Sequence, residues 1–185
     1  MSKVSLGRKV PRMVSPVVLM GSMVGGRPNF CTVAWATMID DEPPMIGLIL
    51  GKKRRTMDGV RETGVFSVNL PSSKMAVPTD FCGLVSGYDE DKSEVFTITP
   101  GPLGAPLIDE CPLSMECRFK QVVEFEGTDL VVGEITDVQV SEDCMSGGKV
   151  DIEKIDPLLY AMPGGPYLSI GGMVAEAFKV GRNRK

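Results

Sequence analysis

The sequence predicts a mainly β protein, a closed or nearly closed barrel with a few short helices inserted into it. Three observations carry that reading. Apolar and β-branched runs of strand length recur along the chain, glycine- and proline-rich turns separate them, and only three short stretches have helical composition. With 185 residues, no internal repeat and no linker, residues 1–185 read as one domain. A chain of that size buries roughly two-thirds of its unfolded surface without metals or disulfides.

In chain order, residues 14–24 are apolar and end at Gly25-Gly26-Arg27-Pro28, a turn that closes a hairpin with residues 30–39. The acidic turn Asp40-Asp41-Glu42-Pro43-Pro44 follows, and then residues 45–50, a continuous apolar run as expected of a strand buried on both faces. Residues 56–62 have helical composition, with Thr56 a candidate N-cap and Gly64 a candidate stop. A strand over 65–70 comes next, then a helix from Ser72 or Ser73 toward Phe81, interrupted by Pro78. Three prolines and two glycines make residues 100–106 a loop. Residues 113–126 and 129–140 are two long strands joined at Gly127-Thr128. Beyond a turn at Ser146-Gly147-Gly148, residues 151–155 read as a short helix, 162–166 as a rigid loop and 167–170 as the last strand.

Charge and cysteine content narrow the function. The net charge is −4. Residues 1–12 and 179–185 hold eight of the twenty cations and no acids, which marks both ends as flexible or interface-forming and leaves an acidic body at −12. Such a body does not suit nucleic acid, whereas the single cluster Lys52-Lys53-Arg54-Arg55 suits one small anion or else a solvated charged face. Cys31, Cys82, Cys111, Cys117 and Cys144 are odd in number and lack paired metal-ligand spacing. With no histidine in the chain, a metal centre is not expected, and any catalysis must come from something bound. No apolar stretch is long enough to cross a bilayer, and the whole reads as a soluble cytoplasmic protein.

Polar residues in an apolar strand need partners, either from the protein or from a ligand. Strand alternation places Asn29, Cys31, Val33, Trp35 and Thr37 on one face and Thr32, Ala34 and Ala36 on the other, where the small side chains leave room for a flat ring. In the competing reading Thr32 is an ordinary strand residue and Trp35 a core anchor. If Thr56 caps a helix, Lys53, Arg54 or Arg55 lies beside outward-pointing amides, an arrangement that binds phosphate. A third element is the stretch 80–87 with Lys92: Gly83 and Gly87 permit close backbone approach, Ser86 offers a hydroxyl and Lys92 a further cation. Cys82 is either a redox thiol or an inert buried cysteine.

Taken together, Asn29 with Thr32 and Trp35, the Pro43-Pro44 turn, Arg55-Thr56, the strand Gly64 to Leu70, and Asp80-Phe81-Cys82-Gly83 through Ser86-Gly87 to Lys92 resemble the flavin reductase-like proteins, most of all the flavoredoxin branch. The resemblance spans nearly the whole chain, since residues 156–160 and the closing segment 167–181 look like that branch's C-terminal strand and helix. It implies a Greek-key split β-barrel that binds FMN non-covalently, usually as a homodimer with the flavin near the subunit interface. By the same likeness Asn29, Thr32, Ala34 and Trp35 lie along the ring and ribityl chain, Lys53, Arg55 and Thr56 hold the phosphate, and Cys82, Ser86, Gly87 and Lys92 line the remainder. The activity implied is electron transfer through FMN, from NAD(P)H or a reduced protein partner to flavin, ferric iron or a protein acceptor. Some relatives place the nicotinamide with a histidine, which this chain lacks. An FMN electron carrier without a nucleotide site and a non-catalytic flavin-binding protein are therefore the alternatives.

Overall fold

The computed structural model describes residues 1–183. Its elements in chain order are β1 (Met13–Pro16), β2 (Val18–Val24), β3 (Arg27–Val33), β4 (Trp35–Asp41), β5 (Pro44–Gly51), α1 (Thr56–Thr63), β6 (Val65–Leu70) and α2 (Ala76–Leu84). They continue with β7 (Ile98–Pro100), β8 (Pro106–Ile108), β9 (Leu113–Glu124), β10 (Thr128–Val140), β11 (Met145–Ser146), β12 (Lys149–Val150), α3 (Ile152–Ile155), β13 (Leu159–Met162) and β14 (Tyr167–Leu168). The protein is mainly β, with few short helices, as expected.

Seven strands form one antiparallel sheet in the order β3-β2-β6-β9-β10-β5-β4. β3 and β4 sit at its opposite edges, yet only Ala34 separates them in sequence. The sheet must therefore curl until its edges meet, and its apolar face becomes the inside of a barrel. Met20, Cys31, Val33, Leu48, Phe66 and Val131 belong to that interior and are almost wholly buried. The fit is tight enough that a Cβ on Gly133 would lie 2.3 Å from the Phe66 ring. A second cluster forms outside the barrel, where Leu19 and Phe30 meet Cys82, Phe96 and Ile108. There Phe30 and Phe96 pack edge to face at 5.5 Å.

Several elements differ from the sequence reading, each for a local reason. Residues 14–24 are two strands, because Val17 donates its N–H to Leu158 and β1 leaves the barrel to pair with β13. Residues 30–39 are likewise split by the bend at Ala34, which reverses the side-chain alternation. Cys31 and Val33 point into the barrel, but beyond the bend it is Ala36 that packs inward while Trp35 and Thr37 turn out. Trp35 is 41% exposed, so the core-anchor reading does not hold. α2 runs through Pro78 because that proline falls in its first turn, where no intrahelical N–H is required. Residues 1–12 are exposed, with the Arg12 guanidinium donating to the carbonyls of Pro163 and Gly164. In place of a C-terminal helix the chain makes one 3₁₀ turn at Val180–Asn183, and Arg184 and Lys185 of the basic end lie outside the described residues.

Candidate functional site

Two clefts meet along β3 at the point where the barrel closes. The smaller lies between β3, the start of α1 and the loop after α2, and its wall includes Lys53, Arg55, Ser86, Gly87 and Lys92. The larger, about 290 Å³, begins at Thr32 and passes Ala34 and Trp35 over Ile49 and Leu50 to a far wall made by Tyr160 and Pro163. Arg54 lines both.

Lys92 is the most unusual group in the smaller cleft. It is 2% exposed, and its ammonium donates to the carbonyls of Cys82 (2.9 Å) and Phe30 (3.2 Å). No carboxylate pairs with it among the described residues. Burial pushes its pKa below the ordinary lysine value, and Arg54 adds to that, while Cys82, Cys31 and Glu90 oppose it. A buried cation without an anion is costly. Two carbonyls account for two of its three N–H groups, and the third remains for a ligand.

Asn29 and Thr56 do different work from that expected. Thr56 is not the N-cap. It is the first residue of α1, fully buried, with Arg55 before it and no side-chain cap. The carboxamide of Asn29 takes the capping role from the neighbouring strand. With its oxygen turned toward α1 it accepts from Thr56 Oγ1 (2.8 Å), Thr56 N (3.2 Å) and Phe30 N (3.3 Å), whereas the opposite orientation leaves that oxygen facing acceptors. Met57 and Asp58 donate their N–H groups to Arg54 and Arg55, and Ser22 Oγ donates to the Thr56 carbonyl. The first-turn amides are thus largely consumed inside the protein. Attraction for an anion comes instead from the Lys92 ammonium, the guanidinium groups and the Asn29 NH₂, which faces Gly87.

The remaining residues divide between the clefts. Arg55 Nη1 donates to the Gly87 carbonyl at 2.7 Å, which ties the loop after α2 to the start of α1. Gly87 must lack a side chain, since a Cβ there would lie 2.2 Å from the Asn29 carboxamide. Ser86 Oγ accepts from Tyr88 N. Lys53 is exposed at the rim, and Lys52 turns away to pair with Asp129. Thr32 donates its hydroxyl to the Thr79 carbonyl, fixing α2 against β3 and leaving its backbone edge to the larger cleft. Cys82 does not line either cleft. It is fully buried in the outer cluster, with its thiol raised to about 11 mainly by burial, so it contributes its carbonyl to Lys92 rather than a reactive sulfur.

Sequence reasoning named Arg54 only as one of three cations beside the α1 amides, and it left out the wall at 160–164. Tyr160 OH accepts from Gly164 N at 2.8 Å, and its ring packs on Tyr167 at 5.5 Å. Tyr167 in turn donates to Asp80 on α2 (2.8 Å). An aromatic side chain just before a Pro-Gly-Gly loop was the available signal, but only β13 pairing with β1 shows that it faces Trp35. The result is a slot with aromatic walls, opening at one end onto a buried cationic pocket. Such a shape accommodates a planar ring carrying a phosphorylated chain.

Comparison with known proteins agrees with this shape. The family model described as the flavin reductase like domain matches residues 10–165. The fold is similar to that of a flavoredoxin from Methanosarcina acetivorans, with 39% identity, a TM-score of 0.93 and 98% of each chain covered. A flavoredoxin of Desulfovibrio vulgaris (Miyazaki F) is 34% identical with a TM-score of 0.90, over 97% of this chain and all of that one (100%). An uncharacterised protein of Archaeoglobus fulgidus is 32% identical over 129 residues, 68% of this chain and 72% of its own length. The expected split-barrel fold is therefore present.

Proposed function

Since the chain belongs to the flavin reductase-like family, we propose that it is an FMN-dependent oxidoreductase of the flavoredoxin type, carrying electrons from NAD(P)H or a reduced partner to flavin, ferric iron or a protein acceptor. The observation that carries this reading is Lys92, a buried cation with no carboxylate partner among the described residues, beside Arg54 and Arg55 at the end of an aromatic slot. These residues fit FMN: Lys92, Arg55 and the Asn29 amide would hold the phosphate, and Thr32, Ala34, Trp35 and Tyr160 would border the ring. Bound FMN supplies the redox chemistry. The protein's own groups bind, orient and exclude water, and none of them needs to act as acid or base.

The absence of histidine favours a second reading, in which the protein exchanges electrons only with other proteins. Purified protein is expected to be yellow, and anaerobic mixing with NADH and with NADPH separates the two readings. Rapid bleaching by either nucleotide marks the reductase. Bleaching only by dithionite or a reduced protein marks the carrier, and protein that neither contains nor takes up FMN rules out both.

The protein is further proposed to act as a homodimer. Met38 and Ile39 are exposed on the edge strand β4, and Met173, Val174 and Phe178 are exposed near the C-terminus, two sets of apolar side chains that a second copy would cover. Light scattering at micromolar concentration is expected to give twice the 19.9 kDa chain mass, and a monomer there would count against it. Among the described residues no helix is long and apolar enough to cross a membrane.

A further inference from the structure

Resting on the FMN reading above, we infer that the basic N-terminal arm, residues 1–12, and the cationic rim of the ring slot form the docking surface for an acidic electron-carrier protein. Lys3, Arg8, Lys9 and Arg12 are the only charged side chains of the arm, and the whole of it is exposed. Two contacts fix its place. The arm leads into β1 at Met13, which pairs with Met162 of β13, and the Arg12 guanidinium donates to the carbonyls of Pro163 (3.5 Å) and Gly164 (3.4 Å). Met162, Pro163 and Gly164 line the slot, so the arm starts at the edge of the compartment assigned to the flavin ring.

The charges at that edge are unspent. The side chains of Lys3, Arg8 and Lys9 enter no hydrogen bond or ion pair among the described residues. Arg54 lines the slot and no carboxylate does, while Lys53 is exposed beside it. Asp129, opposite the slot residue Leu50, is paired with Lys52, and Glu124 lies one strand further out. Residues 13–178 have the opposite sign, with 12 cations against 24 acids. An acidic partner is repelled by that body and attracted by the arm, so it meets the protein at the slot. Steering of this kind orients an encounter without a large apolar contact, which suits a partner that must leave after each exchange. A one-electron carrier fits. Each reduced carrier is oxidised by one electron, so two encounters supply the two electrons that FMN takes up with two protons from water.

The probe is an acidic [2Fe–2S] ferredoxin, mixed with the full chain loaded with FMN. Calorimetry is expected to show binding at about 10 mM salt that is largely lost at about 150 mM, as the Debye length falls from roughly 30 to 8 Å. The triple variant Lys3→Gln/Arg8→Gln/Lys9→Gln is expected to bind ferredoxin about tenfold more weakly at the lower salt, and reduced ferredoxin to bleach its flavin about tenfold more slowly, with FMN affinity unchanged. Lys74→Gln/Arg118→Gln/Lys149→Gln removes the same charge at three exposed positions that line neither the slot nor the cationic pocket, and both readouts are expected to stay within about twofold of the wild type. No binding or bleaching by ferredoxin, indifference to salt, equal losses in the two triple variants, or tighter binding of a short DNA duplex at the same salt overturns the docking surface and leaves the FMN reading in place. Protein that is folded by circular dichroism and takes up no FMN overturns the FMN reading itself.

Discussion

Lys92→Met is expected to weaken FMN binding by about 2 to 3 kcal/mol, roughly 30- to 150-fold, because it removes a charge-assisted bond from a buried anion. The magnitude follows from where the ammonium sits. An exposed lysine opposite a phosphate contributes less than 1 kcal/mol or so, since water and salt screen it. Lys92 is 2% exposed and anchored by two carbonyls, so its charge is hardly screened and its position costs little entropy to fix. Riboflavin, which lacks the phosphate, is the control. Its affinity for the wild type and for the variant should be the same, and an equal loss with riboflavin would show that Lys92 supports the fold rather than the anion.

The same group gives the binding a pH dependence of definite sign. Burial lowers the pKa of Lys92 in the ligand-free protein, so the folded chain holds that proton less firmly than the unfolded chain does. Its contribution to stability is unfavourable at neutral pH and is relieved as pH rises through the lowered value toward the ordinary one. A bound phosphate works in the opposite direction, favouring the charged form. FMN affinity is therefore expected to fall on the alkaline side in the wild type and to stay flat in Lys92→Met, with riboflavin flat in both.

The sequence carried the fold class and most of the residues that line the two candidate clefts, and the parts it hid have a common cause. Runs of β-branched residues and Gly-Gly or Gly-Thr turns are local signals, so the strands were legible. The bend at Ala34 is not local. It exists because β3 and β4 occupy opposite edges of a sheet whose order is set by pairings far along the chain, and it reverses which of Trp35 and Ala36 faces the core. The capping of α1 is hidden for the same reason. Thr56 has the composition of an N-cap, but Asn29 reaches it across 27 positions and displaces it inward. Lys92 was visible as a cation in a polar loop. Its burial without a carboxylate, the property that makes it informative, appears only once α2 and β3 enclose it.

Gly59→Ala tests how the site depends on that enclosure, and two opposing effects decide its sign. Alanine in place of glycine inside α1 gains about 1 kcal/mol of helix propensity. Against this, the new Cβ would lie 2.4 Å from the Met23 carbonyl oxygen and 2.5 Å from Ser22 Oγ. Ser22 Oγ already donates to the Thr56 carbonyl, and Met23 belongs to β2, held on one side by β3, so neither neighbour moves without cost. Overpacking of this kind costs about 1 to 3 kcal/mol and more where the obstacle is backbone, so the clash outweighs the propensity gain. A net loss of about 2 kcal/mol is expected, lowering the melting temperature by roughly 4 to 8 °C in a chain of this size. Because α1 can relieve the clash only by lifting from β2, the Thr56 end shifts away from Asn29 and FMN affinity falls with stability. Scanning calorimetry and an FMN titration of the same sample check both, and a melting temperature raised above that of the wild type would mean that the helix gain dominates and that α1 is not seated as tightly on β2 as these distances require.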